Sequence, residues 1–271
     1  WGSVVFARDA GTIVTAMERV NVQVRPLDTP ALQFKVGSFE PGIMLASTHR
    51  SILAQELRAL TQPVGENPWT ADGFQQGIEA NGMLQHRLLY NAGWVEGSGS
   101  IGDKSKDAYA RLAYKFGGLP FDGVPSGGAE AAMPANPKPW SEKSVAVSGF
   151  VYKGKGNLDP ADPLISNPDA RDPFRIVGGD VAANYLDLMA RVGYTDRKDD
   201  RFELADPTIT DVSSKQQFAE LSWVAYPWLI PAGRWESSRI ESSIIAKETT
   251  EQMSFTLNAL ARANVKSFLV A

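Results

Sequence analysis

Residues 218–238 read FAELSWVAYPWLIPAGRWESS, and residues 253–271 read MSFTLNALARANVKSFLVA. With a period of two, Ala219, Leu221, Trp223 and Ala225 fall on one face, and Glu220 and Ser222 on the other. After the turn signal Tyr226-Pro227-Trp228, Gly233 and Trp235 are set against Arg234 and Glu236. Met253, Phe255, Leu257 and Ala259 then alternate with Ser254, Thr256 and Asn258. Such alternation predicts strands with one apolar and one polar face. Short turns between them predict antiparallel neighbours.

The same pattern runs upstream. Val20, Val22 and Val24 alternate with Arg19, Asn21, Gln23 and Arg25, and Leu32, Phe34 and Val36 with Gln33 and Lys35. Ile78, Ala80 and Leu84 oppose Glu79 and Asn81; after a reversal near His86, Leu88, Tyr90, Ala92 and Trp94 oppose Arg87 and Asn91. Leu112, Tyr114 and Phe116 oppose Tyr109, Arg111 and Lys115. Residues 2–8 read as a first strand, and Lys143 to Lys153 as one with two fairly apolar faces. In a hairpin of Phe174 to Tyr185 and Leu186 to Thr195, Leu186, Leu188, Val192 and Tyr194 face away from Asp187, Arg191 and Thr195. The expectation is a single domain over 1–271 of roughly twelve or more strands, each about ten residues long, the length of a tilted membrane-spanning strand.

Two segments break the alternation. Within 38–73, SILAQELRAL (Ser51 to Leu60) spaces Ile52, Leu53, Glu56, Leu57 and Leu60 helically behind a Ser51 N-cap. It predicts a short helix in a long loop that either enters a lumen or covers its mouth. Residues 117–142 are a Gly/Pro/Ala-rich loop. Short reversals near 26–30, 85–86, 184–186, 226–228 and 261–264 contrast with long connections near 38–73, 97–106, 154–172 and 197–213. In outer-membrane barrels the short ones face the periplasm and the long ones the exterior. On that scheme 117–142 lies on the periplasmic side, as a missed strand or an extension available to a partner.

Full charges at strand centres, opposite a face of small and branched apolar residues with aromatics near strand ends, point to lipid outside and water inside. The predicted lumen lining is Arg19, Arg25, Lys35, Arg87, Arg111, Lys115, Arg191, Arg234 and Glu236, with Glu79, Asp180, Asp187 and Glu220 as further acids. The basic excess favours anions; the competing reading is a salt-bridged ladder filling a narrow barrel.

Composition removes other classes. A formal charge of −4 gives no basic excess for nucleic acid. The absence of cysteine excludes disulfides, thiolate metal sites and thioether-linked haem in this chain. No apolar run is long enough for a membrane helix. The chain opens at Trp1 without methionine, as expected of a processed secreted protein or of a fragment.

AYARLAYKFGG (108–118), the YPWLIPAGRWE hairpin (226–236) and ALARANVKSFLVA (259–271) resemble bacterial outer-membrane porins. The likeness extends to phosphate-selective-type porins and the barrel components of porin-cytochrome conduits. It implies a Gram-negative outer-membrane protein that is a passive channel or an electron conduit sheathing a multihaem cytochrome. Its partners would be outer-membrane lipid and small solutes or ions, and possible assembly is with further copies of itself as a homo-oligomer. The family brings no catalytic residues and no cofactor. Such barrels usually end on an aromatic residue, whereas this chain ends Phe268-Leu269-Val270-Ala271, which is expected of an incomplete chain.

Three other chemistries have partial signals in the sequence. Gly97-Ser98-Gly99-Ser100-Ile101-Gly102 matches G-x-G-x-x-G, with Asp122 some way on, but the following residues alternate as a strand instead of opening a helix. His49 and Ser51 could form a base and nucleophile, without a G-x-S-x-G elbow. The acids at 159–162 and Asp199-Asp200 lack calcium-loop spacing and read as solvated loops. A soluble β-rich binding or hydrolytic domain is the alternative from a different class.

Overall fold

The computed structural model describes residues 2–9, 12–27, 29–45, 57–61, 64, 67, 69–71, 73–97, 106–123, 138, 141–157, 171–200, 211–242, 247–262 and 265–270. The strands are β1 (Gly2–Asp9), β2 (Thr12–Val24), β3 (Gln33–Phe39), β4 (Gln75–Leu84), β5 (Leu88–Val95), β6 (Asp107–Gly117), β7 (Glu142–Asn157), β8 (Arg171–Leu186), β9 (Leu188–Asp199), β10 (Val212–Trp223), β11 (Leu229–Ser242), β12 (Glu248–Arg262) and β13 (Val265–Val270). Among the described residues, a short helix, α1 (Arg58–Thr61), lies between β3 and β4. The strands form one antiparallel sheet in sequence order, β1 to β13. The series is open, with β1 paired to β2 and β13 to β12.

The sheet inverts the usual distribution of polarity. Trp94, Phe255 and Met253 are more than 60% exposed, and Val22, Leu112, Val147, Val192 and Leu221 are exposed with them. Glu79, Asp107, Asp180, Arg197, Arg234 and Asn258 are buried on the opposite face. A soluble sandwich packs its apolar faces together; this sheet turns its apolar face out.

The outward face also has the height of a bilayer core. On β7, Lys143 and Lys153 bracket Val145, Val147, Gly149 and Val151, a spacing matching the ~10 residues of a tilted spanning strand. Register carries both borders onto neighbouring strands. Lys143 lies in one cross-strand row with Tyr185, Leu188 and Trp223, and Lys153 in another with Arg175 and Lys198. Tyr226 and Trp228, stacked 5.6 Å apart in the next turn, continue the aromatic border.

Connections at that aromatic end are short, as at 85–87, 187 and 224–228, while the other end carries 40–74, 158–170 and 200–211. The exception is 118–141, as the alternation predicted. Its described residues fold back on the short turns: Phe121 N donates to His86 O at 3.0 Å, and Lys138 pairs with Asp187 at 2.9 Å. The His86 reversal holds Gln85 and His86 at φ of 49° and 60°, a primed turn that suits the twist of a hairpin.

Several boundaries differ from the sequence reading. Leu186 sits at the β8–β9 turn with φ 54° and does not open the second arm. β9 runs to Asp199, capturing Arg197 and Asp199 from the expected charged loop because Val212 of β10 pairs with Asp199. The helix spans Arg58–Thr61; residues 51–56 of the expected helix, with His49 and Ser51, lie outside the described residues.

The inner wall is packed by pairing glycine with aromatic rings. A Cβ on Gly193 would lie 2.3 Å from the Phe218 ring, and one on Gly93 2.2 Å from the Tyr109 ring. Gly193→Val is therefore expected to cost about 1–3 kcal/mol through overpacking. On the outer face, Val147→Arg is expected to cost about 2–4 kcal/mol in a bilayer, with Val147→Leu under about 1.5 kcal/mol. Equilibrium denaturant unfolding in lipid vesicles checks all three; a silent Val147→Arg would contradict the lipid-facing assignment.

Candidate functional site: a lumen crossed by its own loop

The connection from β3 to β4 enters the space bounded by the polar face. It first meets β5 and β6, where Arg111 Nη1 donates to Gly42 O at 3.0 Å and Met44 O at 2.9 Å, and Asn91 Nδ2 to Gly42 O at 3.0 Å. It next reaches β11, where Arg58 N at the start of α1 donates to Glu236 Oε1 at 2.7 Å. It then returns across β7 to β9.

There Trp69 is the anchor. Its Nε1 donates to the Tyr152 hydroxyl at 2.9 Å, and its ring packs 4.5 Å from Tyr152 and 5.0 Å from Phe174. Tyr152 donates to Asp107 Oδ2 at 2.7 Å. Arg197 forms a two-pronged pair with Asp199, Nε to Oδ1 and Nη2 to Oδ2, both at 2.7 Å, and stacks 4.8 Å from the Phe174 ring. Asn67 completes the latch, donating to Asp199 Oδ2 at 3.1 Å while its own Oδ1 accepts from Trp69 N. Ile43, Met44, Leu57 and Trp69 join inward Phe150, Phe174 and Phe218 in an apolar cluster inside the sheet.

Toward the short-turn end the loop leaves a cavity of about 750 Å³. Its charged lining is Lys35, Arg111, Lys115 and Arg191 against Glu40, Glu79 and Asp122. Most of these cations are engaged. Lys35 pairs with Glu79 at 2.8 Å, and Glu79 also accepts from Tyr109, Asn81 and Asn91. Lys115 pairs with Glu142 at 2.8 Å, and Arg111 holds loop carbonyls. Arg191 faces Glu220 across β9 and β10 and makes no hydrogen bond or ion pair to another described residue.

The expected lining is thus partly assembled. Lys35, Arg111, Lys115 and Arg191 meet in the cavity, while Arg234 and Glu236 face inward on β11, with Arg234 3.0 Å from Glu236 and 3.7 Å from Glu220. Two assignments are corrected. Arg25 follows the last residue of β2 and is exposed at a turn, so strand parity no longer places it inside. Arg87 lies in the 85–87 turn and donates to the carbonyls of Lys115, Gly117 and Gly118, closing the turn instead of lining the lumen. Arg19 pairs by backbone with Ser3, and its side chain lies outside the described residues.

Sequence reading missed the latch. Tyr152 was hidden in a strand apolar on both faces, and Trp69 sat in a segment without periodicity. Asp199, expected as a solvated loop acid, is 1% exposed and ion-paired. For G-x-G-x-x-G, strand β6 follows the motif, and Asp122 lies at the opposite end of the sheet, 2.5 Å from His86.

No family model matches the sequence, and no curated protein is similar to it in sequence. Among solved structures, the outer-membrane expressed OmpT of Vibrio cholerae matches with a TM-score of 0.58 at 10% identity, over 98% of this chain and 70% of that one. The fold is that of an outer-membrane β-barrel. The likeness agrees with the inverted polarity of the sheet and carries nothing about substrate.

Removing one partner of the latch leaves the other charge buried. Asp199→Ala is expected to cost about 3–5 kcal/mol, more than Asp199→Asn, which keeps an acceptor for Arg197. Thermal unfolding of the two variants in detergent checks the order.

Proposed function

We propose that this chain is a passive channel of the bacterial outer membrane, with a charged, mildly basic lumen that favours small anionic solutes. The carrying observation is the cavity between the loop and the wall, lined by Lys35, Arg111, Lys115 and Arg191, where Lys35 and Lys115 pair with Glu79 and Glu142 while Arg191 makes no ion pair to another described residue. Its volume of about 750 Å³ matches a small molecule and not a threaded protein domain. The loop already occupies the space that a multihaem cytochrome would need, which supports the solute reading over the conduit reading.

Because the other cavity cations are engaged, selectivity rests most on Arg191. Planar-bilayer recordings in a salt gradient are expected to show stepwise conductance with an anion-directed reversal potential. Arg191→Glu shifts that potential toward cations, whereas Arg87→Gln leaves it unchanged. Inserted protein that gives no conductance steps would end the channel reading.

A further inference from the structure

Beyond the channel, the outward face carries a row of cations. Lys153 of β7, Arg175 of β8 and Lys198 of β9 are direct cross-strand partners. All three are exposed, and none makes an ion pair or hydrogen bond to another described residue. Lys155, also exposed, stands one outward position further along β7. Directly opposed like charges in a sheet repel one another, so the arrangement favours a bound anion.

Their height selects the anion. The row closes the apolar band of β7 to β9 at the long-connection end, opposite the aromatic border of Tyr185 and Trp223. In the orientation that puts short turns in the periplasm, this is the headgroup level of the outer leaflet. Adjacent strands are spaced by about 4.8 Å, so the three side chains span a width suited to one phosphorylated headgroup, with Arg175 offering a fork and the lysines point charges. Among the described residues, the nearby outward acids face other cations or lie beyond the row: Asp196 opposes Lys215, Glu241 pairs with Arg239, and Asp200 lies on the loop side.

We propose that Lys153, Arg175 and Lys198 form a site on the barrel's outer wall for the phosphate of an outer-leaflet glycolipid. The assignment rests on the outer-membrane reading above. Each cation near an anionic membrane surface contributes about fivefold in affinity, so loss of all three is worth about a hundredfold.

The test uses the full chain in vesicles containing either a phosphorylated lipid A or its dephosphorylated form. Carbonate extraction first establishes insertion, and lipid retained after detergent exchange is then counted by native mass spectrometry. The wild type is expected to retain the phosphorylated lipid preferentially. The combined variant Lys153→Gln, Arg175→Gln, Lys198→Gln inserts equally and loses that preference by about a hundredfold; Lys215→Gln keeps it. Equal retention of both lipids by inserted wild type, unchanged retention by the triple variant, or complete displacement by millimolar inorganic phosphate would overturn the site while leaving the barrel intact. Failure to insert would instead overturn the outer-membrane reading and the site with it.

Discussion

Hydrocarbon offers no hydrogen-bond partners, so a chain that crosses it must pair its backbone within itself. Everything else in this structure follows from that requirement. Each strand lies beside its sequence neighbours, and the pairing of β4 through β12 proceeds without a register shift; shifts occur only between β1 and β2 and between β12 and β13. Continuous register then turns a period of two into two uniform surfaces. A one-residue slip of β10 would send Glu220 into lipid and Leu221 into the lumen.

A wall of inward polar groups needs partners, and this chain supplies many of them from its own loop. The β3–β4 connection is held at both sides of the lumen by charge-assisted hydrogen bonds, to Glu236 on one wall and to Asp199 and Arg197 on another. Apolar rings fill the space between these contacts, so the loop end of the interior is a small hydrophobic core against a polar wall. The glycines at 93, 178 and 193 make room for the rings of Tyr109, Phe150 and Phe218. Large and small residues interdigitate here as they do across a soluble core, which fixes the loop in one place.

The same contacts reduce the lumen's effective charge. Counting inward arginines and lysines in the sequence overstates the field a solute would meet, because Lys35, Lys115 and Arg234 are neutralised locally and Arg111 is committed to carbonyls. Ion pairs and lining cations occupy different places. A salt-bridged ladder fills part of the interior, and a basic cavity occupies the short-turn end. On the outer wall Lys153, Arg175 and Lys198 make no ion pair to another described residue.

Sequence alone determined the strands and which face of each is apolar. A two-residue period is local and survives without knowledge of any partner, as Leu221 and Glu220 or Phe255 and Ser254 illustrate. Chain length between reversals likewise identified 118–141 as the long connection on the short-turn side. What the tertiary structure decided was every contact across the lumen. Trp69 meets Tyr152, and Arg58 meets Glu236, over large sequence separations with no periodic signal to announce them. Strand ends were also settled in three dimensions: pairing to Val212 drew Asp199 and Arg197 inside, and the end of β2 left Arg25 outside. Alternation says which way a side chain points while the strand lasts; only the folded neighbours say where the strand stops and what the side chain finds there.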